Sequence, residues 1–124
     1  MKRSLWEGVN NLNQTVDSRV DMETLLQAVE QSYEGFLLSD RSGRIFYANQ
    51  AVENISGVPL QDIVGKTTKE MEAEGIIISQ SLKVLKKDPL TISQKLSTGV
   101  DVFITSKPIY DTSGKIICYA ANYR

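Results

Sequence analysis

The 124-residue chain has no histidine and a single cysteine, Cys118. Without histidine there is no Ser-His-Asp triad, no imidazole base, no histidine axial ligand for haem and no histidine-bearing metal site. One thiol makes neither an internal disulfide nor a thiolate zinc cluster. Cys118 stands in the apolar run 116–121, read as strand, where a cysteine is either a small buried hydrophobe or a reactive thiol. Charge of one sign is also scarce. Fourteen basic residues against fifteen acidic ones give a net charge of −1 with no like-charged block, which argues against a nucleic-acid surface. No apolar run is long enough to span a bilayer, and the N-terminus lacks the apolar core of a secretion signal, so a cytoplasmic protein is the simplest reading.

What is present suits one globular domain: 41% hydrophobic residues and a length that buries about two-thirds of the unfolded surface. The most informative stretch is 35–49, GFLLSDRSGRIFYAN. Two runs suited to a pleated surface flank Asp40-Arg41-Ser42-Gly43. An Asp that bonds turn amides and a Gly that tolerates positive φ make this a β-hairpin. Asn49 stands at the N-cap position of a short helix with Val52 and Ile55 inward, closed by Gly57 and Pro59.

Upstream, Asp21 caps a helix over 22–33 with Leu25, Leu26 and Val29 on its inner face. Residues 1–20 form an opening helical segment whose stripe Leu5, Val9, Leu12 and Val16 needs a partner, with Trp6 beside it. That partner is either a second copy of the chain or the segment's own domain. Downstream, 60–66 reads as a brief helical turn. Ile78, Leu82 and Leu85, with lysines off that face and Asp88-Pro89 behind, predict a helix over 78–87. The last third reads as strands over 90–96, 101–110 and 115–123. Asp111-Thr112-Ser113-Gly114 repeats the first turn's spacing, and Pro108 is expected at an edge or bulge. Strands segregated from helices predict an α+β domain with an antiparallel sheet, one face covered by the middle helices.

Over 21–124 this order resembles a PAS domain. The resemblance lies in the 35–49 hairpin, the helix ending in Ile55-Ser56-Gly57, the run LQDIVGK at 60–66 and the closing PIYDTSGKIICYAANYR. A finer resemblance is to the N-terminal sensory PAS module of sigma-54-dependent transcriptional activators, through 70–76, 79–87, 90–94 and 108–111. There the terminal Asn-x-Arg leads into a linker and an output domain, so a stop at Arg124 is read as a fragment whose effector is missing. The implied fold is a five-stranded antiparallel sheet in the order 2-1-5-4-3 with short helices on one face, preceded by the 1–20 segment. The cleft between sheet and helices would hold a ligand. Alternation proposes its lining: Phe36, Leu38, Ile45, Tyr47, Ile78, Leu82, Ile92, Phe103, Thr105, Tyr119 and Ala121, all of which could instead simply fill the core.

The resemblance carries exclusions too. Covalent flavin sensors of this fold need a cysteine near the middle helices, haem sensors an axial histidine, and the photoactive-yellow type a cysteine elsewhere than on the last strand. The expected ligand is therefore a non-covalent small molecule, apolar or aromatic, with an organic acid also open. Three functions compete. The first is a sensor regulating a homodimeric activator with ATPase and DNA-binding output domains, the PAS unit itself touching neither nucleic acid nor membrane. The second is a ligand-free dimerisation or protein-interaction module working through Leu5, Val9, Leu12 and Val16; a variant of the sensor reading serves a kinase or cyclase instead. An enzyme comes last, because Asp40, Asp62, Glu72 and Asp111 are scattered over turns and helix surfaces.

Overall fold

The structure, a computed structural model, describes residues 21–83 and 90–124, with the backbone alone at 81–83 and 90. The stripe Leu5, Val9, Leu12 and Val16 lies outside the described residues, as does Leu85. Strands β1 Gly35–Ser39, β2 Ile45–Ala48, β3 Ile77–Lys83, β4 Leu90–Leu96, β5 Asp101–Tyr110 and β6 Ile116–Tyr123 form one sheet. Its order is β2-β1-β6-β5-β4-β3, and every pairing is antiparallel. Helix α1, Met22–Glu30, precedes β1, while α2, Gln50–Ser56, a 3-10 turn at Leu60–Asp62 and α3, Thr68–Ala73, lie between β2 and β3.

The α+β class and the neighbour relations expected of the five strands hold, but a sixth strand, β3, extends the sheet at the β4 edge. It occupies the start of the helix predicted over 78–87. Gly75, at φ 78°, ends α3, and the β-branched run Ile76-Ile77-Ile78 then enters extended backbone. Pairing with β4, from Ile77↔Leu96 to Lys83↔Thr91, overrides the helical spacing of Ile78 and Leu82. In α1 the side chain of Leu25 is half-buried, whereas Leu26 is 63% exposed and does not belong to the inner face.

Both Asp-x-x-Gly turns form. Asp40 Oδ1 accepts from the N–H groups of Ser42 and Arg44 at 2.9 and 3.0 Å, and Asp111 Oδ1 from those of Ser113 and Lys115 at 2.8 and 3.0 Å. Serine hydroxyls add 2.6 and 2.7 Å bonds to the same oxygens. These bonds stabilise the ionised carboxylates, chiefly through the serine hydroxyls, and hold both pKa values below 3.8. A depressed folded pKa stabilises the fold above the unfolded value and ceases to do so as pH falls through the folded one. Thermal stability is therefore expected to fall as pH drops below about 4. The Asp40→Asn/Asp111→Asn double variant should show a shallower loss in circular-dichroism melts between neutral pH and pH 3. An unchanged slope would remove the two turns from the acid response.

The core lies between the sheet's inner face and α2, α3 and the 3-10 turn. Val52, Val102 and Leu96 are fully buried there, with Ile45, Ile63, Met71, Ile77 and Tyr123 around them. Each such side chain contributes about 1.5–3 kcal/mol by leaving water. A capping box starts α3, the Glu70 N–H donating to Thr67 Oγ1 and the Thr67 N–H to Glu70 Oε1, both at 3.2 Å. The Arg44 guanidinium reaches the same carboxylate at 2.8 Å and the Gly65 carbonyl at 2.7 Å, which ties α3 to the β1–β2 hairpin. Pro108 lies beyond Leu90↔Ser106, so no described β4 residue pairs with it.

Candidate functional site

Between the inner sheet face and the helices lies a cavity of about 150 Å³. The strands supply Leu37 and Ser39 of β1, Ile45 of β2, Ile77 of β3, Ile92, Gln94 and Leu96 of β4, Ile104 and Ser106 of β5, and Ala121 and Tyr123 of β6. Gly43, Val58, Ile63, Ile76, and Thr68 and Met71 of α3 complete it. The walls are mostly apolar, and no charged side chain is among the described lining residues.

Two polar lining residues are almost fully buried, Gln94 at 3% exposure and Tyr123 at 5%. The Gln94 Nε2 donates to Gln80 Oε1 on β3 at 2.8 Å, and Gln80 in turn donates to the Glu72 carboxylate on α3. The side of the cavity formed by α3 and β3 is thus held by polar bonds as well as packing. Burial pushes the Tyr123 hydroxyl up to about 12. At neutral pH it is a neutral hydrogen-bond donor.

Of the residues proposed for the lining, Ile45, Ile92 and Ala121 meet in the cavity. Leu82 pairs in register with Ile92. Tyr119 is half-buried on the same sheet face as Ala121, two residues along β6, but outside the described lining. Phe36 and Leu38 take the opposite face, because Leu37 and Ser39 point inward. A register shift between Leu38 and Ser39 has a further consequence: Ile45 faces Ser39 while Tyr47 faces Leu38 on the other side. There the Tyr47 hydroxyl donates to Glu30 at 2.5 Å, and burial, then Glu30, push its pKa up to about 12. Ile78 sits at the irregularity in the β3–β4 pairing and is 62% exposed. Phe103 and Thr105 alternate with the inward Ile104 and Ser106, and Thr105 Oγ1 lies 3.1 Å from Thr91 Oγ1 instead.

Tyr123, Gln94 and Leu37 escaped the sequence reading. Tyr123 was in phase with Tyr119 and Ala121, so extending the alternation by one step reaches it. For Leu37 the available signal was Gly35, a glycine at an inward position where backbone meets β6.

Asn49 stands at the N-cap position of α2 as expected, but its side chain is used elsewhere. Its side chain makes no cap bond; it is fully buried, accepts from the Phe36 N–H at 2.9 Å and donates to the Val29 and Glu34 carbonyls at 2.8 and 3.0 Å. One amide thus fastens the end of α1 to the start of β1 and the β2–α2 junction.

A family model for the PAS fold matches residues 21–122. No curated protein matches the chain. Among solved structures, the PAS domain of nitrogen regulation protein NR(II) from Vibrio parahaemolyticus superposes with a TM-score of 0.58 at 16% identity, over 85% of this chain and 98% of that one. The PAS domain of an HTR-like protein from Haloarcula marismortui gives 0.56 at 14% identity, over 96% and 98%. That of BvgS from Bordetella pertussis gives 0.52 at 17%, over 83% of each chain. At such identities the likeness is one of fold.

Proposed function

We propose a function from one premise: the chain belongs to the PAS family. PAS domains are sensory and regulatory modules of signal transduction. In this chain, the module binds a small molecule non-covalently between sheet and helices, and occupancy biases the arrangement read by an output domain. The observation that carries this reading is the mostly apolar cavity of about 150 Å³. An engineered protein cavity of about that volume admits benzene.

The output we assign is a sigma-54-dependent transcriptional activator with ATPase and DNA-binding domains, supported by the resemblance of 70–76, 79–87, 90–94 and 108–111. The module works as a homodimer in the cytoplasm, catalyses no reaction and leaves DNA contact to its output domain. Among the described residues, no helix is long and apolar enough to cross a membrane.

Native mass spectrometry of freshly purified protein is expected to show a dimer carrying a small adduct. Calorimetry against a metabolite panel is expected to find at least one binder. An adduct-free mass with no binder in the panel overturns the ligand reading. A dimer persisting under those conditions would favour the second reading, an interaction module without ligand. Cavity size is what speaks for it, since ligand pockets usually measure about 300–1,000 Å³.

A further inference from the structure

Tyr123 is 95% buried by its 5% exposure and lines the cavity. No described residue bonds its hydroxyl, although every fully enclosed side-chain polar atom among the described residues has a partner. The hydroxyl oxygen is therefore not fully enclosed, and Tyr123 is one of the residues that line the cavity. The Nε2 of Gln94, equally buried, is already engaged with Gln80. With no described cation or carboxylate on the walls, a charged guest would leave water without a counter-ion, at a cost that excludes tight binding.

We infer that the cavity takes an uncharged molecule about the size of one aromatic ring, presenting a hydrogen-bond acceptor such as a carbonyl oxygen to the Tyr123 hydroxyl. This rests on the ligand reading above and narrows it: organic acids, open on sequence grounds, are excluded as guests. Apolar walls bury the ring, and the phenol supplies orientation. Burial keeps that phenol protonated across the physiological range. Tyr123 directly precedes Arg124, whose N–H and C=O pair with Phe103 at 2.9 and 2.7 Å. A guest held by Tyr123 thus acts on the last β5–β6 pairing of the sheet.

Three ring compounds test this by NMR titration of the 124-residue chain, following the amides of Ser106 and Ala121: toluene, acetophenone and benzoate. Acetophenone is expected to bind at least about tenfold more tightly than benzoate, which carries its charge into an uncharged cavity. Tyr123→Phe should weaken acetophenone about three- to tenfold while leaving toluene unchanged, the signature of one lost hydrogen bond. A melting curve of the variant verifies its fold, and the comparison of compounds on the parent chain needs no variant. Benzoate binding as tightly as acetophenone, or toluene and acetophenone weakening equally in Tyr123→Phe, overturns this inference alone. Failure of all three compounds to bind the parent chain overturns the ligand reading together with it.

Discussion

Replacing Gly35 with alanine is expected to lower the melting temperature by about 10 °C or more, a loss of about 3 kcal/mol. A Cβ at position 35 would lie 2.6 Å from Tyr123 Cβ and 3.1 Å from both the Tyr123 carbonyl oxygen and Val52 Cγ2. Neither Tyr123 atom lies at the far end of a flexible side chain: one is a Cβ and the other is backbone. Relief requires β1 to move away from β6 at the Gly35↔Tyr123 pairing, or α2 to move with Val52. Gly43→Ala is the informative contrast. It places a Cβ in open space but at φ 89°, so only conformational strain of about 1 kcal/mol is expected. A Gly35→Ala melt within about 2 °C of the parent, or below the effect of Gly43→Ala, would show that the β1–β6 contact can relax. Because Tyr123 lines the cavity, the same substitution should also disturb guest binding.

That contact also explains what was legible in the sequence and what was not. Turn chemistry is local: Asp40 and Asp111 each bond amides two and four residues ahead, so the residue types at that spacing sufficed. Segregation of strands from helices followed from the same punctuation and led to the α+β class. Over 78–83 the expected helix gives way to strand because the competing interaction, pairing of β3 with β4, comes from another segment, beyond a local turn of helix: Ile77 pairs with Leu96 and Lys83 with Thr91. Local periodicity carries no record of it. The cavity wall was misread for a related reason. Alternation tells which residues of a strand share a face but not which face points inward; in β1 that is the face on which Gly35 meets Tyr123 and Val52. The register shift beside Ser39 then put Ile45 and Tyr47, two residues apart, on opposite sides. Gln94 was missed because a polar residue amid a strand reads as solvent-facing; its partner Gln80, itself bonded to Glu72 of α3, comes from another strand.

Asn49→Ala is expected to cost about 3–5 kcal/mol, the larger of the two losses at its upper end. The alanine leaves the Phe36 N–H and the Val29 and Glu34 carbonyls without the partner they have at 2.9, 2.8 and 3.0 Å, at a site with no exposure. Unmade buried bonds cost more than made ones contribute, and no water at the surface replaces them. Asn49→Asp separates acceptor from donor. It keeps an oxygen for the Phe36 N–H but turns a second oxygen toward two carbonyls, so the ionised form is repelled as well as buried, and its folded pKa rises above the unfolded value of about 3.9. A raised folded pKa means that the protonated side chain's contribution is complete below the unfolded pKa and vanishes as pH rises through the folded one. The stability gap between Asn49→Asp and the parent should therefore narrow as pH falls toward about 4 and widen toward neutrality. Hydrogen exchange locates the damage: amides near the end of α1 and the start of β1 are expected to lose protection in both variants before those of β4 and β5. Uniform loss across the sheet, or a gap between Asn49→Asp and the parent that does not change with pH, would mean that Asn49 merely fills space. The expected pattern would establish it as the joint through which α1 is held to the sheet that lines the cavity.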